Sequence, residues 1–458
     1  MVMCVDGVNN ISAVSQVPNS LPTVSAVQNP QAPTKKPLDT VPFRATDVSV
    51  LSVRTQLTTQ DDIAKYNEIN QAVGRKYQKL LKQMLKSGVL LNNASDNKTS
   101  VLDNLYSIMK TERAEGLDNK NILESAILTI GYPFSINQKL GDIPNSYRAK
   151  FINAVMNDKS LDVNSFKEAN EKFENLYSST CPTACVEFSL ASKQPAEFAR
   201  MVNDLTSPKL QTEKIINLKN LNQNLDDAKW LLDAFKVPYE FLGGDRVKLT
   251  LKPDKDVLLR ASMQTKYQDG LERNAMDVII QSTFMNVASQ QTYNSVIDER
   301  KGEFSNESTG LVEFEKTFLE SIVQNKSTTS MLYQKINGNM EVTGYECDFK
   351  TAEQQIIDTL KRNQNVIIGI TYFEKDKDNP DKSIPANTIA GGHEITIVGY
   401  RTARNGETVF ICQDSDDDVN MPVMYPASWL LPRLHHAGLP DDIAERAMPA
   451  ENKTQMNA

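Results

Sequence analysis

Gly391-Gly392-His393-Glu394-Ile395-Thr396-Ile397-Val398-Gly399-Tyr400 is the stretch from which the rest of the chain is read. Ile395 and Ile397 alternate with the polar Glu394 and Thr396, which predicts a half-buried strand beginning just after the histidine. The paired glycines let backbone or substrate approach the imidazole closely. A histidine at the mouth of a strand is well placed to act as a base. His393-Glu394 is not a zinc-protease helix motif, because no second histidine follows at the required spacing. The chain holds three histidines, His393, His435 and His436, so histidine-dependent chemistry has few candidates.

Downstream, Thr408-Val-Phe-Ile-Cys412-Gln-Asp414-Ser415-Asp416-Asp417-Asp418 reads as a strand returning beside that of His393 and ending in a carboxylate. Asp414 at that point would hold the imidazole in one tautomer and stabilise the imidazolium. The further aspartates fit a solvated loop, since their spacing lacks the glycine and terminal glutamate of a calcium loop. Upstream, Asn175-Leu-Tyr-Ser-Ser-Thr-Cys181-Pro-Thr-Ala-Cys185-Val-Glu-Phe-Ser-Leu-Ala191 opens a helix. Pro182 suits its first position, where a missing N–H costs nothing. Cys181 then falls at the N-cap, beside unpaired backbone N–H groups and the positive end of the helix dipole, which favour thiolate. Cys185, one turn on and flanked by Val186 and Phe188, reads as a small buried hydrophobe.

These segments sit in a wider pattern. Helices are predicted at 182–191, 195–205, 224–236, 270–292 and 311–325. Strands are predicted at 246–251, 366–372, 394–400 and 408–412, the last three close together as in an antiparallel sheet. Helices first and strands later indicate an α+β fold. From about 58 to 175 the pattern is helical. Ile63, Tyr66, Ile69, Val73, Tyr77, Leu80, Leu81, Met84 and Leu85 form one apolar stripe that stops at Ser87-Gly88, and further helical runs follow at 101–113, 120–130 and 145–157. Residues 1–45 are dominated by Val, Ser, Asn, Pro and Thr, with no charge between Asp6 and Lys35, and read as a disordered tail. The chain therefore divides into a tail (1–45), a helical module (46–165), an α+β domain (166–440) and a flexible tail (441–458).

Composition sets outer limits. A net charge of −8, from 50 Lys+Arg against 58 Asp+Glu, excludes the broad basic footprint of a nucleic-acid binder. No apolar run approaches the ~20 residues of a membrane helix. The start lacks the basic and apolar regions of a secretory signal, so the expectation is a cytoplasmic protein or one exported by a non-standard route. Five cysteines, scattered through the chain, do not make a disulfide scaffold.

Taken together, the three segments resemble a papain-like cysteine peptidase domain, a helical half joined to an antiparallel sheet. Cys-x-x-x-Cys-Val-x-Phe-x-x-Ala is similar to the nucleophile segment of bacteriocin-leader-processing peptidases. Gly-Gly-His-x-Ile-x-Ile-Val-Gly-Tyr is similar to the histidine strand that those enzymes share with papain. The resemblance implies Cys181 as nucleophile, His393 as base and Asp414 as its orienting carboxylate. It also implies an oxyanion-hole amide six residues before the nucleophile, which is Asn175 for Cys181 and would be Ser179 for Cys185. A papain-centred alignment of Cys-Val-Glu-Phe-Ser selects Cys185 instead. Cys181 and His393 lie farther apart than is usual in the family, which implies a large helical insertion over about 205–350. The implied activity is cleavage of a peptide or isopeptide bond through an acyl-enzyme, with a peptide or protein substrate and no metal or organic cofactor. A deamidase or acyl transferase with the same triad, or a degenerate domain kept for binding, stands as the alternative, and the helical module is a candidate regulatory or partner-binding element.

Three features remain outside that constellation. His435-His436 follow a short predicted helix; adjacent histidines cannot both face one metal from a helix, so they are assigned to the helix end. Trp230 and Trp429 read as packing residues. The polar run 374–380 reads as a solvated hairpin tip.

Overall fold

A computed structural model of the chain describes residues 40–41, 54–139, 178–267, 273–296, 298–302, 310–379, 381–416 and 420–446. The fold is mixed α+β, with thirteen α-helices and antiparallel strand pairs among the described residues. Two compact units are distinguished, one drawn from Arg44–Thr328 and Asp414–Met421, the other from Thr329–Gln413 and Pro422–Ala458 with Met1–Phe43.

The first unit is mainly helical. The long stripe expected from Ile63 to Leu85 is two helices, Gln60–Ala72 and Arg75–Ser87. Val73 and Gly74 between them are extended. The Gln78 side chain donates to the carbonyls of Asn70 and Val73, and Gly74 N–H donates to Glu124, so the freed backbone groups find partners without a continuous helix. Gly88 ends the second helix in the left-handed conformation, as its sequence position predicts. Helices Val101–Lys110 and Asn119–Gly131 follow; the expected helix at 145–157 lies outside the described residues.

The boundary expected at 165/166 is not where the compact units divide. Lys214 and Glu197, both nearly inaccessible, pair at 2.9 Å, and Glu197 also pairs with Arg200 at 2.8 Å. Asp96, from the region expected to be a separate module, lies 3.4 Å from Lys214 and accepts the Ile215 N–H. Arg113 reaches the carbonyl of Asn203 and the hydroxyl of Thr206. These buried polar ties join residues 96–113 to 197–215 in one unit.

Helices Cys181–Lys193, Pro195–Leu205, Leu225–Ala234, Ala275–Ala288 and Glu313–Gln324 match the predicted runs closely. The 205–350 region is not wholly helical. It contains a three-stranded sheet of Thr212–Asn217, Arg246–Leu251 and Tyr239–Gly243, of which periodicity identified only the second. Trp230 is no core residue: it is 60% exposed.

The second unit is built on a seven-stranded sheet ordered Val423–Pro426, Thr408–Asp414, Ile389–Thr402, Val366–Phe373, Leu434–Leu439 and Thr329–Leu332, with Thr40–Val41 added beside Ile389–Thr402. The helix Phe349–Lys361 contributes Ala352, Ile356 and Leu360 to a core shared with Val366, Ile368, Ile370, Ile395, Ile397, Phe410 and Cys412. His435 and His436 are in a strand, not at a helix end; the short helix Ala427–Leu430 and the turn Leu431–Arg433 finish before them. Trp429 packs against this core, stacked on Tyr425 with Arg433 over its ring. The run from Glu374 begins with a short helix, Glu374–Asp376, in which Asp376 pairs with Arg433, so its first part is anchored rather than solvated.

Candidate active site

Cys181 is the first residue of its helix, one position later than expected, with Thr180 as the cap and Pro182 still in the first turn. Thr180 does not cap. Its hydroxyl lies 2.5 Å from that of Ser178 and donates to Gln281 at 2.7 Å, so no side chain caps the start of the helix and the positive end of its dipole lies beside the thiol. Cys181 is partly exposed, whereas Cys185 is fully buried, as its packing role predicts.

The three residues before the cysteine are held from three directions. Ser178 donates through its N–H and its hydroxyl to the carbonyl of Gln138. Ser179 donates through its N–H (2.6 Å) and hydroxyl (3.0 Å) to Asp298, which also accepts from Tyr293. Thr180 is held by Gln281 and by the buried Arg273 at 3.1 Å. Gln138 carries a second tie: its N–H donates to the Ser415 carbonyl and its side chain accepts the Ser415 hydroxyl at 2.8 Å. The loop before Cys181 and the turn after Asp414 are therefore fastened to one residue.

Deeper along the helix, Glu187 is completely buried, accepts from Gln281 at 3.0 Å and faces Asp277. Burial and the neighbouring Asp277 carboxylate hold Glu187 well above the usual carboxylate range, and burial pushes Asp277 up to about 7. At neutral pH the two carboxyls keep a proton between them, which spares the helix two buried charges.

His393 stands in Ile389–Thr402, a strand that begins before the histidine and is buried on both faces. The expectation of a half-buried strand fails because the face carrying the polar residues is covered too: Glu394 is 5% exposed and Thr396 is inaccessible. His393 pairs with Ile370 and alternates in phase with Ile395 and Ile397, so it lies on the core face near the sheet end. Asp414 closes the adjoining strand. Phe410 and Cys412 contribute to the same core, and Asp414, two residues on, shares their face. Sheet parity thus brings His393 and Asp414 onto one face of neighbouring strands. Asp414 also accepts the Asp416 N–H at 3.3 Å. A Cβ at Gly391 would meet nothing within 4 Å, and one at Gly392 only the Ile370 carbonyl at 3.6 Å, so the backbone ahead of the imidazole is open.

Asn175, Asp417 and Asp418 lie outside the described residues. Gln138, Asp298, Gln281 and Arg273 escaped sequence reasoning. The one available signal was the hydroxyl run Ser178-Ser179-Thr180, which demands partners once buried. No protein-family model matches the chain, and no curated protein or solved structure is significantly similar to it. No helix among the described residues is long and apolar enough to cross a membrane.

Proposed function

We propose that the chain is a thiol hydrolase that cleaves a peptide or isopeptide bond through Cys181, His393 and Asp414. The Cys181 thiolate attacks the carbonyl carbon, and the imidazolium of His393 protonates the departing amine, leaving an acyl thioester. His393 then takes a proton from water, whose oxygen attacks the thioester and releases the acid and the thiol. Asp414 orients the imidazole and stabilises its charged form. The Cys181 backbone N–H, with the Asn175 amide, stabilises the oxyanion.

The observation that carries this reading is the common sheet face of the buried His393 and the half-buried Asp414, a base and a carboxylate on neighbouring strands. The thiol at an uncapped helix start supports it. The papain-like family assignment is part of the proposal and rests on the three sequence segments.

The test is site-resolved alkylation. A limiting thiol reagent at pH 6, quantified by peptide mass spectrometry, should label Cys181 first, and that preference should collapse in His393→Ala. Preferential labelling of Cys185 would move the nucleophile by one turn. Uniformly slow labelling, indifferent to His393, would refute the enzyme and leave a binding domain. In a peptide-cleavage assay Cys181→Ala should lose at least about 10³-fold in turnover with an unchanged melting temperature. Incorporation of an added amine in place of hydrolysis would assign the acyl-transfer alternative.

A further inference from the structure

Glu394, Gly369 and His436 form one row across three strands of the seven-stranded sheet. Gly369 is paired with Glu394 on one side and with His436 on the other. Glycine in a central strand weakens it, and here its smallness has a use. A Cβ at position 369 would collide with the His436 ring and come within 2.9 Å of Glu394 Oε1. Without it the two side chains meet over the glycine, His436 Nε2 lying 3.3 Å from Glu394 Oε2, both almost wholly buried. A carboxylate beside Nε2 favours the tautomer that carries its proton there, with the lone pair on Nδ1, the nitrogen that faces His435.

His435 reaches the same place through a break in register. Leu434 is opposite Ile370 and His436 is opposite Gly369, so His435 is an extra residue, a bulge. Successive residues of a regular strand point to opposite faces, whereas a bulge re-aims one of them. Here the two Nδ1 atoms converge to 3.1 Å, with the rings at 86° to one another.

We propose that His435 Nδ1 and His436 Nδ1 are two ligands of a divalent transition-metal site of the zinc class, with Glu394 as the carboxylate that orients His436. Two nitrogens bound to zinc at 2.0–2.1 Å stand about 3.3 Å apart at a tetrahedral angle and about 2.9 Å apart at a right angle, and the observed separation falls between. A carboxylate on the far nitrogen of a ligating histidine is the usual support for such a ligand. Imidazole donors select zinc, copper, nickel or cobalt over magnesium or calcium. His435 is half-buried and His436 buried. The site is separate from the proposed acyl chemistry: Glu394 points to the sheet face opposite that of His393.

The test uses the full-length chain in a Cys181→Ser background, stripped with chelator, so that no thiolate competes at that position. Zinc and cobalt are titrated by calorimetry, with the visible absorption of bound cobalt recorded. One cation per chain should bind, and magnesium should not. His435→Ala should weaken binding at least tenfold while leaving the circular dichroism spectrum unchanged, and Glu394→Gln should weaken it 10–100-fold. His393→Ala should bind as the parent does. Absence of zinc and cobalt binding, or undiminished binding in His435→Ala, would overturn the proposal and reduce the convergence to an imidazole–imidazole hydrogen bond.

Discussion

Around Cys181 the helical unit buries charge in clusters drawn from distant parts of the chain, with Glu187 against Asp277 and Gln281, and Glu197 against Arg200 and Lys214. Around His393 the sheet unit buries polar groups in rows set by strand register, with Glu394, Gly369 and His436 in line. The Glu197 cluster is held by charge compensation, since removing one partner leaves the others charged in a dry interior, and the Glu187–Asp277 pair by a retained proton. A row of the second kind is held by geometry, since each member occupies the space that its neighbour's size allows. The two regions should therefore fail in different ways when altered.

The largest effect is expected where compensation is lost. Against burial, which would raise it, Arg200 and Lys214 hold Glu197 down to about 2. Glu197→Ala would remove the buried carboxylate that Arg200 and Lys214 share, leaving Arg200 to Asp204 and Lys214 to Asp96, and denaturant titration should show a loss of about 3–5 kcal/mol. The native pKa is below the unfolded one, so the stability Glu197 provides is present above the unfolded carboxylate range and fades as pH falls toward 2. A loss under 1 kcal/mol would mean that water already reaches the cluster.

The Glu187–Asp277 pair should behave in the opposite sense. Burial pushes Asp277 up to about 7, above its unfolded value, so the folded chain holds the proton more tightly. Its contribution is complete below the unfolded pKa and is lost as pH rises through about 7. Between pH 5 and 7.5 the pair should withdraw stability as its shared proton is lost. Asp277→Asn should flatten that slope, read as the shift of the urea midpoint with pH; an equal slope in the variant would place the titration elsewhere.

The same contrast explains what was legible in the sequence. Helices such as Pro195–Leu205 and strands such as Arg246–Leu251 carry their own period, and their residues mark them without knowledge of neighbours. Pro182 marked the start of the cysteine helix to within one residue. The strand Leu434–Leu439 was missed because a bulge breaks its alternation and His436 looks solvated until Glu394 is met across Gly369. The polar alternation of Glu394 and Thr396 suggested a solvated face, and nothing local in the sequence says that the face is covered. Gln138, Gln281 and Asp298 grip the approach to Cys181 from far along the chain, and no spacing announces a contact of that kind.

A geometric failure in the sheet should be smaller. Gly369→Ala places a methyl group against His436 and Glu394, which must turn aside at a cost of about 1–3 kcal/mol. The variant should also lose metal affinity, because the row that aligns His436 is broken. A stable Gly369→Ala chain with intact cobalt binding would show that the side chains do not need the glycine.

Gly391 offers the smallest structural effect and a pointed comparison with Gly369. A methyl group there meets nothing within 4 Å, so Gly391→Ala should change stability by no more than about 0.5 kcal/mol. If the space ahead of His393 admits substrate, the same methyl group should raise KM for a peptide while leaving the pH 6 alkylation rate of Cys181 untouched, because a small reagent needs less room than a peptide. Unaltered KM with unaltered stability would mean that substrate passes elsewhere, and the open backbone before the imidazole would then owe nothing to catalysis.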